Sequence, residues 1–152
     1  MKRVLVRSVY DAFDYVMEHY YPAGLMEAAE RSDIYAVISI QDTHTGGFGF
    51  RFTESETCAG ALTLYFDDVV RQVEGAVAFD RKIAGEVIDF IEQHRDAAET
   101  LLVHCYGGQS RSMAVGAFAV RMLGGDNSRY FAKANPNRLV YETLVKEWES
   151  RK

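Results

Sequence analysis

Cysteine and proline are both scarce in this sequence, with two of each among 152 residues. Cys58 and Cys105 are too few for a disulfide scaffold in a chain that is long enough to bury its own core. The chain also has no internal repeat and no linker rich in proline, glycine or serine, so nothing marks a boundary between domains. We therefore predict one domain over residues 1–152.

Clustered positive charge and long apolar runs are absent too. The formal net charge is −5 and the sequence contains no block of lysine and arginine, which argues against a nucleic-acid binder. No window approaches the roughly 20 apolar residues of a membrane span. The N-terminus meets Asp11 and Asp14 before any long apolar run, which does not fit a secretory signal peptide. We expect a cytoplasmic protein with neither a membrane nor a nucleic acid as partner.

Apolar segments of two different kinds alternate along the chain. Continuous apolar runs with β-branched residues predict buried strands, and apolar residues that recur every three to four positions predict helices. The predicted strands are 3–7, 33–40, 61–66 and 100–104, and the predicted helices are 9–20, one within 78–96, 111–123 and one or two in the tail. This alternation predicts an α/β fold with a central, mainly parallel sheet of four to five strands flanked by helices. We place Phe13, Val16 and Tyr20 on the apolar face of the first helix, and Pro136 at a helix start.

The loop before the helix 111–123 has the composition of an anion site. Gly107 and Gly108 permit unusual backbone angles, so that successive N–H groups can point inward at an anion. The helix N-terminus adds unpaired N–H groups, and Arg111 adds a guanidinium that can grip two phosphate oxygens. The four histidines show no metal-ligand spacing. We therefore predict a phosphate-binding loop and expect no structural zinc.

Cys105 lies at the bottom of this predicted loop. The same N–H groups and Arg111 favour its thiolate over its thiol, and a thiolate beneath a phosphate is aligned to attack phosphorus. The hydroxyl of Ser112 can then stabilise the sulfur as a leaving group. Taken alone, a cysteine at a strand end is more often a small buried apolar residue. The joint pattern His-Cys-x-x-Gly-x-x-Arg-Ser, however, has a chance probability well below about one in a thousand in this length.

The pattern at 104–112 resembles the signature of the cysteine-based protein tyrosine phosphatases. The short chain is most similar to their compact dual-specificity-type branch, which includes small bacterial members. This resemblance implies that Cys105 is the nucleophile, that Arg111 binds the phosphoryl group and steadies the transition state, and that His104 is structural. It also implies substrate-binding roles for the rest of the loop, Tyr106, Gly107, Gly108, Gln109 and Ser110. The reaction that the resemblance implies requires neither a metal nor another cofactor.

A carboxyl group is needed to protonate the leaving oxygen and then to activate water. Asp67 and Asp68 follow the third predicted strand, at the edge where ligands bind in open α/β sheets. The family's pattern favours Asp68 as the general acid and base, and we expect the other aspartate to cap the next helix. Asp80 is a weaker candidate because its surroundings are typical of a helix start.

Two further features bear on substrate and regulation. The segment 44–50 lacks the glycine spacing of a nucleotide-binding fingerprint. We interpret it as a hairpin or a pocket rim in which Phe48 or Phe50 stacks on an aromatic substrate. Cys58 is either an inert thiol or, as in some members of the family, the partner of an oxidised Cys105 in a reversible disulfide.

Together these features predict a phosphomonoester hydrolase that acts through a cysteinyl-phosphate intermediate. The expected substrate is a phosphorylated protein or small phosphomonoester, chiefly phosphotyrosine, with phosphoserine and phosphothreonine as further possibilities. Phosphate, sulfate and vanadate are expected to bind the loop as inhibitors. Phosphoinositides fit less well because the loop carries no additional lysine or arginine. Two alternatives are a phosphopeptide-binding module without turnover and a sulfur- or arsenate-handling enzyme with a similar anion loop.

Overall fold

A parallel sheet of four strands forms the centre of the fold. The strands are β1 Arg3–Ser8, β2 Tyr35–Gln41, β3 Cys58–Tyr65 and β4 Thr100–Cys105. The computed structural model describes residues 1–22, 24, 27, 33–44, 47–48 and 51–152. Within these residues every strand pairing is parallel, and the order across the sheet is β1-β4-β2-β3. The predicted α/β fold with a central sheet of four to five strands is confirmed.

Helices cover both faces of this sheet. They are α1 Val9–Tyr20, α2 Arg81–His94, α3 Arg111–Met122, α4 Ser128–Lys133 and α5 Arg138–Ser150. One face is covered by α1 and the other by α2, α3 and α5, so β2 is buried along its whole length, as its continuous apolar run predicts. None of the helices described is long and apolar enough to cross a bilayer.

Three predictions about helix residues are wrong in detail. Phe13 is 42% exposed, because α1 buries a narrower stripe that runs through Ala12, Val16 and Tyr20. Pro136 lies one residue before the N-cap of α5 rather than inside the helix, because the Asn137 side chain accepts the hydrogen bond from Val140 N.

The third correction concerns the aspartate pair. Neither Asp67 nor Asp68 caps the next helix, because a stretch without helix or strand separates them from α2. The N-cap of α2 is Asp80, whose carboxylate accepts a hydrogen bond from Ile83 N at 2.9 Å. The prediction that Asp80 lies at a helix start is therefore confirmed.

Because all four strands are parallel, their carboxyl ends lie at the same edge of the sheet. Within β4, side chains alternate between the two faces. Leu102 packs on the α1 side of the sheet, whereas Val103 and Cys105 pack on the α3 side. His104 consequently points away from the Cys105 side, so the two adjacent residues contact different parts of the site.

Candidate active site

The loop between β4 and α3 surrounds the Cys105 sulfur with hydrogen-bond partners. Cys105 is buried, with 2% of its surface exposed. The N–H of Gly108 donates to its Sγ at 3.2 Å, and the Ser112 hydroxyl oxygen lies 3.0 Å from the same atom. Both groups can donate to a negatively charged sulfur. The structure therefore brings Cys105, Gly108 and Ser112 together in the arrangement that their spacing predicts.

Gly108 fixes the shape of this loop. Its φ is +71°, in the left-handed region that favours glycine, and an added Cβ would lie 2.5 Å from Arg7 C and from Ser8 N. A side chain would therefore be strained and would collide with backbone. At Gly107, by contrast, an added Cβ would meet nothing within 4 Å. Gly108 thus lets the loop lie directly against the end of β1.

Arg111 lies at the first position of α3 and is buried, with 6% exposure. Its Nη1 donates to the Phe66 carbonyl oxygen at 2.9 Å, and its Nη2 lies 2.9 Å from Asp42 Oδ1. The Nε is buried and has no hydrogen-bond partner among the described residues. A buried donor without a partner costs about 1–3 kcal/mol. The guanidinium is therefore held in place by two contacts, while its Nε–H has no partner among the described residues.

Asp42 is a contact of Arg111 that was not predicted as a functional residue. It directly follows β2, at the same edge of the sheet as the aspartates that follow β3. The reasoning that selected Asp67 and Asp68, a carboxylate just after a buried strand, applies equally to Asp42. Its ion pair with Arg111 orients the guanidinium and balances its charge in a buried position.

Asp68 is exposed and contacts the loop between β4 and α3. Its Oδ1 accepts hydrogen bonds from Ser110 Oγ at 2.8 Å and from Asn137 Nδ2 at 2.7 Å. Asn137 was not predicted as a site residue, and its N–H also donates to the Ser110 carbonyl at 3.1 Å. The only sequence signal for Asn137 is its place at a helix start. Among the three predicted carboxylates, Asp68 is the one that contacts the loop.

Asp67 has a different environment from its neighbour. It is 8% exposed and accepts hydrogen bonds from Thr43 Oγ1 at 2.6 Å and from Val77 N at 2.7 Å. Burial raises the pKa of Asp67, but these hydrogen bonds outweigh burial and hold the pKa below its usual range. Asp67 therefore joins two loops as a carboxylate, which is a structural role.

The two aspartates give a matched pair of variants. If Asp68 is the general acid, as the sequence predicts, Asp68→Asn should lower kcat by about 10²-fold or more for aryl phosphates with poor leaving groups, because the leaving oxygen would lose its proton donor. Asp67→Asn should instead destabilise the fold by about 1–3 kcal/mol, because it weakens two charge-assisted hydrogen bonds, while kcat changes little. Rates for a series of leaving groups and thermal melts of both variants check this. A full rate for Asp68→Asn would contradict the assignment.

His104 is fully buried in a chain of polar groups behind the loop. Its Nε2 lies 2.7 Å from Ser39 Oγ, and its Nδ1 lies 3.4 Å from the Cys105 carbonyl oxygen. Gln41 Nε2 donates to the same Ser39 hydroxyl oxygen at 2.9 Å. Burial, with a smaller contribution from the Arg111 charge, lowers the pKa of His104 to about 4. A histidine that is neutral at pH 7 and held in this way fits a structural role better than that of a general base.

The low pKa of His104 predicts that the free energy of unfolding depends on pH. In the unfolded chain the imidazole takes up a proton below its ordinary pKa of about 6.5, whereas in the fold it does so only near pH 4. The unfolded state thus binds more protons between these values. The free energy of unfolding should therefore fall by up to about 3 kcal/mol as the pH drops from 6.5 to 4.

Urea titrations across this pH range measure the effect, with His104→Asn as the control. The variant removes the titrating imidazole, so its stability should fall less steeply over the same window. Equal slopes for the two proteins would contradict the neutral, buried histidine.

Aromatic side chains lie around the loop between β4 and α3. The Phe48 ring centroid is 5.9 Å from those of both Tyr106 and His104. Tyr106 is 54% exposed, and its ring lies 6.4 Å from that of Tyr10. The predicted position of Phe48 beside the loop is consistent with this arrangement, whereas Phe50 lies outside the described residues. The loop is thus flanked by aromatic surface that can contact a flat substrate group.

Cys58 lies at the opposite end of the sheet from Cys105. It pairs with Tyr35 at the start of β2, and Tyr35 pairs with Thr100 at the start of β4. Cys105 is five residues further along β4, which corresponds to roughly 17 Å. A disulfide requires Cα atoms within about 7 Å, so the proposed Cys58–Cys105 disulfide is wrong for this fold. Burial raises the pKa of Cys58 to about 11, as expected for an inert thiol.

Among the described residues, no group of three or more histidine, cysteine, aspartate or glutamate side chains is arranged to hold a metal ion. Neither family-level sequence models nor individual curated proteins match the chain. Its similarity to known proteins therefore lies in the three-dimensional structure.

Three solved structures illustrate that similarity. DUSP15 superposes with a TM-score of 0.60 at 21% identity, over 98% of this chain and 85% of that one. Human DUSP28 superposes with a TM-score of 0.55 at 16% identity, over 97% and 92% of the two chains. PTPMT1 in complex with PI(5)P gives a TM-score of 0.59 at 10% identity, over 97% and 91%. The chain therefore shares the compact α/β fold of DUSP15, DUSP28 and PTPMT1.

Proposed function

We propose that the protein is a protein tyrosine phosphatase-like enzyme that hydrolyses phosphomonoesters through a cysteinyl-phosphate intermediate. The observation that carries this proposal is that the loop from β4 to α3 holds both a buried sulfur with hydrogen-bond donors around it and a buried guanidinium with one N–H unpaired among the described residues. Gly108 N–H and Ser112 Oγ contact the Cys105 sulfur at 3.2 and 3.0 Å, while the Nε of Arg111 lacks a partner among the described residues. One phosphoryl group can use both features at once.

In the first step the Cys105 thiolate attacks phosphorus. A phosphorus–sulfur bond forms, the ester bond between phosphorus and the leaving oxygen breaks, and the carboxyl of Asp68 gives that oxygen a proton. Arg111 and the loop N–H groups hold the phosphoryl oxygens, whose charge is spread out in the transition state. Ser110 ties Asp68 to this loop at 2.8 Å, which supports proton transfer from that side.

In the second step water hydrolyses the cysteinyl phosphate. Asp68, now a carboxylate, takes a proton from the attacking water as the phosphorus–sulfur bond breaks. Ser112 Oγ lies 3.0 Å from the sulfur and can donate a hydrogen bond to the departing thiolate. Inorganic phosphate then leaves and the starting thiolate is restored. Every proton is supplied by this chain or by water.

Aryl phosphates, above all phosphotyrosine in proteins, are the substrate class that the surroundings favour. The exposed Tyr106 ring and the neighbouring Phe48 provide aromatic contacts at the loop. The fold itself does not select this class, because PTPMT1 with the same fold was solved with a phosphoinositide. Arg111 is the only cationic residue between 104 and 112, so extra phosphates would find no further cation within this loop.

The two alternatives receive less support. A phosphopeptide-binding module without turnover would not need a cysteine, its hydroxyl partner and an aspartate tied to the same loop. Reduction of arsenate within one chain would need a second thiol near Cys105, and Cys58 is too distant.

A reactive thiol that must remain reduced fits a reducing compartment such as the cytoplasm.

Trapping the intermediate tests the proposal. We expect the protein to hydrolyse p-nitrophenyl phosphate in the presence of EDTA and to be inhibited by vanadate. Acid quenching during turnover, followed by mass spectrometry, should find one phosphoryl group on the peptide that contains Cys105. Turnover that requires added metal, or labelling of another residue, would contradict the mechanism. Tight phosphate binding without turnover would favour the binding module.

A further inference from the structure

Strand β1 is a free edge of the sheet within the described part of the chain, since β4 is its only neighbour there. Arg3 N donates to Glu99 O just before β4, so strand alternation directs the backbone groups of Val4 and Val6 away from the sheet. The Val6 carbonyl on this outer side accepts from Arg7 Nη1 at 2.9 Å. An edge of this kind can pair with an extended segment of another protein.

An open groove of about 390 Å³ runs beside this edge. Apolar side chains of β1, α3 and α4 line it, namely Val4, Val6, Met113 and Tyr130. The groove continues into a second depression that shares Met113, Lys133 and Ala134 with it and reaches Gln109 and Ser110 of the phosphate-binding loop. A chain segment that leaves the active site can therefore follow a continuous surface to the edge of the sheet.

Three cations, Arg7, Arg129 and Lys133, line this surface. Arg7, Arg129 and Lys133 form no ion pair with any residue in the described ranges, although the whole chain carries a net charge of −5. Their hydrogen bonds are local: Arg7 bonds to the Val6 carbonyl, and Arg129 Nη2 lies 3.3 Å from the Tyr130 hydroxyl. Unneutralised positive charge beside an apolar groove favours a ligand that is acidic and partly apolar.

We infer that this groove binds an acidic, extended segment of the phosphorylated substrate protein, which adds a strand to β1. The inference rests on the proposed function and specifies its substrate. Every second side chain of the added strand would face the groove, where apolar side chains contact Val4 and Val6 and acidic side chains reach Arg129 and Lys133. A second copy of this chain fits less well, because an antiparallel β1 pair centred on Leu5 would set Arg3 opposite Arg7, with like charges facing each other.

Two phosphotyrosine peptides of equal length test the inference. One carries repeated Val-Val-Glu-Glu beside the phosphotyrosine, so that the face toward the groove presents both residue types, and the other has glutamine in place of each glutamate. We expect kcat/KM to be about tenfold higher for the acidic peptide, mainly through KM, and the preference to shrink at high salt as charges are screened. Arg129→Glu/Lys133→Glu should abolish the preference while leaving p-nitrophenyl phosphate hydrolysis unchanged.

Lys82→Glu/Lys146→Glu is the matched control, because it reverses two exposed charges on α2 and α5, away from the groove. This variant should keep the preference. Equal rates of the wild type on both peptides, or a preference that survives Arg129→Glu/Lys133→Glu, would overturn the inference. Binding to vesicles of anionic lipid in place of the acidic peptide would overturn it too.

A binding measurement separates this inference from the proposed function. Fluorescence anisotropy with the labelled acidic peptide, prepared without phosphate, requires no turnover. Binding that Arg129→Glu/Lys133→Glu abolishes, in a protein without phosphatase activity, would reject the function and retain the groove. Phosphatase activity without such binding and without peptide preference would retain the function and reject the groove.

Discussion

Cys105→Ser is expected to abolish aryl phosphate hydrolysis, with kcat lowered by at least about 10³-fold. A serine hydroxyl has nearly the size of the thiol but is not ionised near neutral pH, so the hydrogen bond from Gly108 N and the contact with Ser112 no longer stabilise an anionic nucleophile. Phosphate binding should persist, because Arg111 and the loop N–H groups remain. Steady-state rates and phosphopeptide binding by the same variant measure the two effects separately.

Cys58→Ser is the matched control for this experiment. It makes the same chemical change in a buried cysteine at the opposite end of the sheet, where the sulfur contacts the Gly60 carbonyl. Its kcat should stay within a few-fold of the wild type. A Cys105→Ser protein that retains a tenth of the wild-type rate would exclude the cysteinyl-phosphate mechanism, and an inactive Cys58→Ser protein would point to general loss of structure.

The sequence predicts much of the fold because its signals are local. Continuous β-branched runs predict buried strands, and the glycines and arginine at 107–111 predict the turn into α3. The same local pattern predicts that Cys105 and Ser112 face each other, which the 3.0 Å contact agrees with. Spacing within one loop is enough here because the chain has little freedom between a strand end and a helix start.

The contacts that the sequence does not predict join segments distant along the chain. Asp42 reaches Arg111, and Asn137 reaches Asp68, across 69 positions in each case. The strand order β1-β4-β2-β3 creates such neighbours, and that order is not encoded in any local pattern. The distance between Cys58 and Cys105 also depends on the order and register of the strands, so the sequence alone does not predict it.

Arg111 is the second residue for which a large effect is expected. Its Nη1 donates a hydrogen bond to the Phe66 carbonyl oxygen, and its Nη2 forms an ion pair with Asp42. These contacts fix the orientation of the guanidinium before a phosphoryl group binds. Lysine keeps the positive charge but has neither the Nε–H nor the planar fork, and its single ammonium cannot serve both contacts and the substrate. We therefore expect Arg111→Lys to lower kcat/KM for p-nitrophenyl phosphate by about 10³-fold.

Asp42→Asn separates orientation from charge in the same experiment. It removes the ion pair but leaves the guanidinium and its contact with Phe66, so kcat/KM should fall by only about tenfold. Arg111→Lys also leaves the Phe66 carbonyl and the Asp42 carboxylate without their partner, which destabilises the fold. Thermal melts of both variants therefore show how much of the loss in kcat/KM comes from unfolding. If Arg111→Lys retained wild-type kcat/KM, the unpaired Nε would have no role in binding phosphate, and the anion site would have to be formed by the loop N–H groups alone.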